Sequence, residues 1–164
     1  VWSIKLYSPT PVENERSSAV MYFPLDFGSY SDFAFHMDMS IANEFPEKIG
    51  ACFLQYTDRE IVGYEKSHAV SLILGQKIDA YTNTASGKQL TDVMDLSEYG
   101  EIGKMYTLDI IRLNGIAYFF IDGQFIKEYE DGFKSKFTWV GGPLIAEGGE
   151  EVTCEFDNII IRRK

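Results

Sequence analysis

Two dipeptides, Asn114-Gly115 and Asp122-Gly123, constrain what this chain can fold into more than any other feature. Met105–Leu113 precedes the first, Ile116–Ile121 separates the two, and Gln124–Tyr129 follows the second. Asn-Gly and Asp-Gly accept the positive φ angles of a two-residue type I′ turn, whose twist matches that of the flanking strands. Three strands joined by two such turns make an antiparallel meander.

The rest of the chain repeats the strand signal. Val1–Tyr7 and Ser18–Phe23 read as strands. In Phe33–Ile41 the residues Phe33, Phe35, Met37, Met39 and Ile41 alternate with Ala34, His36, Asp38 and Ser40, which predicts one buried and one polar face. Ala51–Tyr56, His68–Leu74 and Lys77–Thr82 follow, then Lys136–Val140, Leu144–Ile145 and a long closing strand, Val152–Arg163. The polar stretch Asn83–Gly103 is expected to be a long connection with a short helical turn near Leu96. About eleven strands with turn signals between them, and no sustained helical period, predict an all-β sandwich or barrel. Aromatic residues at 15% favour strands, and a hydrophobic content of 45% supplies a core. No fixed-period repeat or low-complexity linker divides the chain, so residues 1–164 are expected to form one domain. Phe33, Phe35, Met37, Met39, Val70, Leu72, Leu74, Phe119, Ile121 and Phe156 are expected in the core.

Charge and composition exclude some classes. A formal net charge of −10 without any Lys or Arg run argues against nucleic acid. No apolar run approaches the roughly 20 residues that a spanning helix needs. The chain begins at Val1 rather than Met, which reads as removal of an upstream segment or excision from a larger protein. Cys52 and Cys154 belong to no metal-binding motif; either one disulfide or two buried thiols would suit them.

Several motifs together resemble a known family. Tyr106-Thr107-Leu108-Asp109-Ile110-Ile111-Arg112, with Asn114-Gly115 and Ile116–Ile121-Asp122-Gly123, is similar to the hairpin of concanavalin A-like lectin/glucanase domains. Gly141-Gly142-Pro143-Leu144 looks like a segment of the same domains, and Val152–Ile161, with Phe156-Asp157-Asn158-Ile159, looks like their closing strand. The likeness is greatest to non-catalytic bacterial modules and to domains related to 3-keto-disaccharide hydrolases. From Phe33 to Thr82 it is one of pattern alone. The resemblance implies a concanavalin A-like jelly-roll sandwich of two antiparallel sheets, one of them curved, with glycan on its concave face.

Catalytic chemistry is harder to find. Glycoside hydrolysis usually needs two carboxylates, about 5–5.5 Å apart when configuration is retained. Catalytic relatives carry Glu-x-Asp-x-Glu or a one-residue-longer variant on a concave strand. The segment that would align with it is Gly50-Ala51-Cys52-Phe53-Leu54-Gln55-Tyr56, which has no acid. Glu13–Glu15, Asp58–Glu60, Asp92–Asp95 and Glu128–Asp131 lack the alternation. His36 reads as a solvated partner of Asp38, and His68 as a packed, hydrogen-bonded histidine. No GxSxG elbow, GxGxxG or P-loop is present. The expectation is therefore a domain that is not an enzyme.

A structural Ca²⁺ enters through the resemblance. Several jelly-roll relatives hold one with an Asp at the start of the last strand and backbone oxygens from the N-terminal region. Asp157 occupies that position; its alternative role is to bond neighbouring backbone. Glu147, Glu150 and Glu151 read as a solvated loop.

The expected function is a carbohydrate-binding module or lectin-like domain for an oligosaccharide or polysaccharide. The alternatives are a structural or adhesive domain of a larger extracellular or filament-forming protein, and a glycoside hydrolase with a non-standard site. The expected location is secreted or cell-surface. Sugars pair apolar C–H faces with hydroxyls, so their sites pair aromatic platforms with planar polar side chains. Burial of Val70, Leu72 and Leu74 would turn Ser71 outward. Burial of Ile78 and Ala80 would do the same for Lys77, Asp79 and Tyr81. The resemblance places Phe53 and Gln55 in the groove, and Tyr64 and Trp139 lie where they could wall it. The candidate ligand-binding residues are Gln55, Tyr64, Ser71, Tyr81 and Trp139.

Overall fold

A computed structural model of the chain describes residues 2–7, 20–23, 32–43, 52–58, 68–84, 87–132, 137–141 and 151–163. Among them are twelve strands: β1 (Trp2–Tyr7), β2 (Val20–Phe23), β3 (Phe33–Ile41), β4 (Phe53–Thr57), β5 (His68–Ile73), β6 (Lys77–Thr84), β7 (Gly87–Asp95), β8 (Met105–Leu113), β9 (Ile116–Ile121), β10 (Gln124–Glu130), β11 (Phe137–Gly141) and β12 (Glu151–Arg163). They form two six-stranded sheets. The first runs β1-β12-β3-β8-β9-β10 and the second β2-β11-β4-β5-β6-β7. Every pairing is antiparallel, and the sheets make a β-sandwich jelly roll.

Period two builds the layer between the sheets. Phe33, Phe35, Met37 and Met39 of β3, Leu108 and Ile110 of β8, and Phe119 and Ile121 of β9 pack with Leu54, Val70, Leu72, Ile78 and Ala80 of the second sheet. All ten residues expected in the core are buried. The meander forms as expected. Asn114 and Gly115 have φ of 52° and 80°, and Asp122 and Gly123 of 51° and 74°. These are the angles that a type I′ turn requires.

The expected connection after Thr82 is replaced by strand. β6 continues to Thr84, and Gly87–Asp95 is β7, the edge of the second sheet. Its alternation is hidden by a register shift: Ala80 pairs with Asp92, but Tyr81 pairs with Leu90, so Thr91 is an extra residue. The helical turn near Leu96 is present as Ser97–Tyr99. A second shift lies in β12, between Asp157 and Ile160, where Asn158 has φ of 50°. One extra residue reverses the alternation. Ile159 and Ile161 therefore pack against the core that Phe156 already occupies. The expected strand Leu144–Ile145 lies outside the described residues.

Two polar devices cross the layer. Cys52, directly before β4, is disulfide-bonded to Cys154 of β12, which settles the alternatives left by the sequence. Arg112 of β8 is 2% exposed and donates through Nε and Nη2 to the two carboxylate oxygens of Asp131, at 2.7 and 2.6 Å. Tyr56 of β4 donates its hydroxyl to the same carboxylate at 3.0 Å. A bidentate charged pair with a third donor satisfies groups that would be costly to bury alone.

Candidate functional site

The outward face of the second sheet is built by register. Trp139, Gln55, Ser71, Asp79 and Val93 lie in one cross-strand row, and Phe137, Thr57, Ala69, Tyr81 and Leu90 in the next. Gln55, Ser71 and Tyr81 meet there. Gln55 Nε2 donates to Ser71 Oγ at 2.7 Å and to Tyr81 Oη at 2.5 Å. Asp79 lies beside Ser71, and its carboxylate is 3.0 Å from Lys77 Nζ.

These groups are not open to solvent as the sequence suggested. Gln55, Ser71 and Tyr81 are 5%, 4% and 7% exposed, and Asp79 is fully buried. The sequence reading was right that they point away from the core, and wrong that outward meant wet. Burial pushes the Tyr81 hydroxyl up from its ordinary value and nearby Asp79 adds to this, while the hydrogen bonds to Gln55 and Ser71 pull it down. A tyrosine is already a phenol at neutral pH, and the net upward shift takes Tyr81 further from ionising. Leu90 and Val93, each 49% exposed, form an apolar rim along β7. The sequence concealed them because the extra residue in β7 spaces them three apart rather than two.

The other candidates are placed as follows. The backbone of Trp139 lies opposite Gln55, while its side chain falls outside the described residues. Tyr64 falls outside them entirely. Asp157 lies opposite Asp38, and its carboxylate accepts the Asn158 N–H at 2.9 Å. Asp38 accepts from the Thr107 hydroxyl at 2.8 Å and from the Asn158 amide at 2.5 Å. Among the described residues no group of three His, Cys, Asp or Glu could hold a metal. Ca²⁺ takes six to eight oxygens, backbone carbonyls and waters among them, of which Asp157 would supply its carboxylate.

The histidines are both hydrogen-bonded to carboxylates. His36 pairs with Asp109 of the neighbouring strand at 2.8 Å, rather than with Asp38. Cross-strand register decides this, because His36 is directly opposite Asp109, whereas Asp38 is opposite Thr107. His68 lies 2.8 Å from Asp58, with its side chain 44% exposed. It is hydrogen-bonded as expected, but not packed away.

No family model and no curated protein sequence matches the chain. Solved structures do match its fold. A family 7 alginate lyase in complex with product aligns with a TM-score of 0.64 and 9% identity, over 99% of this chain and 80% of that one. An alginate lyase of polysaccharide lyase family 7 aligns at 0.60 and 12% identity, over 99% and 77%. The carbohydrate-binding module CBM66 from Bacillus subtilis aligns at 0.51 and 12% identity, over 95% and 98%. The fold is therefore a jelly-roll β-sandwich of the concanavalin A-like kind. At these identities the matches show the fold alone. They also correct the expectation that the domain is not an enzyme. Lyases occupy this fold over nearly the whole chain, and a missing acid pair argues only against hydrolysis. A lyase breaks its bond by moving a proton, without adding water.

Proposed function

We propose that the domain engages a polysaccharide along the outward face of β4, β5 and β6. One observation carries this reading. Gln55, Ser71 and Tyr81 are joined by hydrogen bonds on a face where apolar side chains would be the cheaper cover. Planar amides and hydroxyls held in fixed positions suit the recognition of sugar hydroxyls. Lys77, Leu90 and Val93 form the partly exposed rim against which a chain would lie. The Cys52–Cys154 disulfide supports a secreted or cell-surface location, because such bonds persist in oxidising compartments.

A second reading has the domain cleave its ligand by β-elimination, and the lyase matches over 99% of the chain favour it. Tyr81, a phenol at neutral pH, would protonate the leaving oxygen as the C–O bond breaks, with water taking the proton lost from the neighbouring ring carbon and returning one to the phenolate. One experiment tests both readings. The domain is titrated by calorimetry against alginate, other uronate polymers and neutral glucans, while ultraviolet absorbance follows unsaturated product. Binding without absorbance supports recognition alone. Absorbance that Tyr81→Phe abolishes supports the lyase. If no polymer binds or changes, both readings fail and the structural-domain alternative gains.

A further inference from the structure

We propose that the outward face of the first sheet carries a second, separate site for one neutral sugar ring, held by His36, Asp109 and Arg162 against Ala34, Ile111 and Ile160. Register assembles it. Ile160, His36 and Asp109 form one cross-strand row, and Arg162, Ala34 and Ile111 form the next. Ala34 is the short side chain among long ones, and the result is a hollow of about 320 Å³ lined by these six residues and Phe35. That volume is at the small end for ligand sites, which suits one ring rather than a polymer.

The lining selects the ligand class. An ionised carboxylate only accepts hydrogen bonds, so His36 Nδ1–H must donate to Asp109 Oδ1, at 2.8 Å. This fixes the ring and makes Nε2 the acceptor of the neutral imidazole. Arg162 contributes only donors. Acceptors and donors around one hollow match hydroxyl groups, which do both. Ile160, 43% exposed, and Ile111 offer apolar surface to the C–H face of a pyranose. A cation would meet the fixed charge of the Arg162 guanidinium. An anion would meet Asp109 and the field of a chain with a net charge of −10. A neutral polyol ring meets neither objection.

The test is an amide-shift titration of the intact domain with the methyl glycosides of glucose, galactose and mannose, and with glucuronate as the charged control. At least one glycoside should shift the amides of Ala34, Ile111 and Arg162, with a dissociation constant of about 1–10 mM. Arg162→Gln and the hollow-filling Ala34→Leu should each weaken binding about tenfold or more. Arg162 is exposed, so its substitution should leave the melting temperature unchanged. The proposal is overturned if no glycoside shifts these amides, if glucuronate binds better than the neutral sugars, or if the shifts fall at Ser71 and Tyr81 on the other sheet. Unchanged affinity in Arg162→Gln would also overturn it.

Discussion

The two sheets treat their outward faces differently. In the first, β3, β8 and β9 alternate buried with partly exposed residues, and His36, Asp38, Thr107 and Asp109 face water. In the second, all of β4 is buried, as is β5 from Ala69 to Ile73. The polar side chains of the first face are charged or paired with charges. Those of the second are mostly neutral (Gln55, Thr57, Ser71, Tyr81), and the buried carboxylate among them, Asp79, is held by Lys77. Alternation reports which residues leave the core; charge reports whether they reach water. Neutral hydrogen-bonding side chains at outward positions fit this low exposure, because unpaired charges there would cost far more to desolvate.

The largest test of this contrast cuts the covalent link between the sheets. Cys52 and Cys154 are 102 residues apart in sequence, so their bond closes a long loop in the unfolded chain. Cys52→Ala with Cys154→Ala should cost about 4–5 kcal/mol of unfolding free energy. Urea unfolding of the two forms measures it. A cost under about 1 kcal/mol would mean that packing alone fixes the sheets together.

Next in size is the ion pair between the sheets. Asp131→Ala leaves the Arg112 guanidinium buried without its carboxylate, and should cost about 3–4 kcal/mol. Replacing both with apolar residues should recover much of that. A pH arm sharpens the point. Burial, with the Asp131 charge beside it, pushes the Tyr56 hydroxyl well above its ordinary value. The folded pKa exceeds the unfolded one, so this stability is complete below about pH 10 and is lost as pH rises through the folded value. Alkaline melting curves should therefore fall more steeply in the parent domain than in Tyr56→Phe.

Much of the fold was legible because period two and Asn-Gly and Asp-Gly turns are local signals. The meander and the core face of β3 obeyed them, and the closing strand did so as far as Asp157, where one extra residue reverses its alternation. β7 was missed because the extra residue at Thr91 breaks its period, and its acidic residues imitate a loop. The site was half legible. Alternation turned Ser71 and Tyr81 away from the core, and the family resemblance did so for Gln55. Nothing local could show that these three join, since that depends on the register of three strands. The partner of His36 was lost for the same reason: Asp38 is close in sequence, but Asp109 is opposite in the sheet.

A smaller effect is expected on the covered face. Gln55→Ala removes two hydrogen bonds from a buried cluster and should cost about 1–3 kcal/mol. If a polysaccharide occupies this face, the variant should also lose affinity for it. Thermal melts with and without polymer separate the two effects. A cost below about 0.5 kcal/mol would mean that water replaces the amide readily, and that this face is wetter than its burial implies.

The smallest effect belongs to the opposite face. His36 and Asp109 form a cross-strand pair at 2.8 Å, but their side chains remain 35% and 32% exposed. Water screens such pairs, so the coupling energy from a double-mutant cycle of His36→Ala and Asp109→Ala should be about 0.2–1 kcal/mol. That is well below the cost of disturbing Arg112 and Asp131, although both are close pairs between a nitrogen donor and a carboxylate. The two pairs differ in access to solvent as well as in the number of hydrogen bonds, one for His36 against two for Arg112. A coupling above about 2 kcal/mol would show His36 and Asp109 to be desolvated, and the distinction between a wet and a dry outward face would collapse.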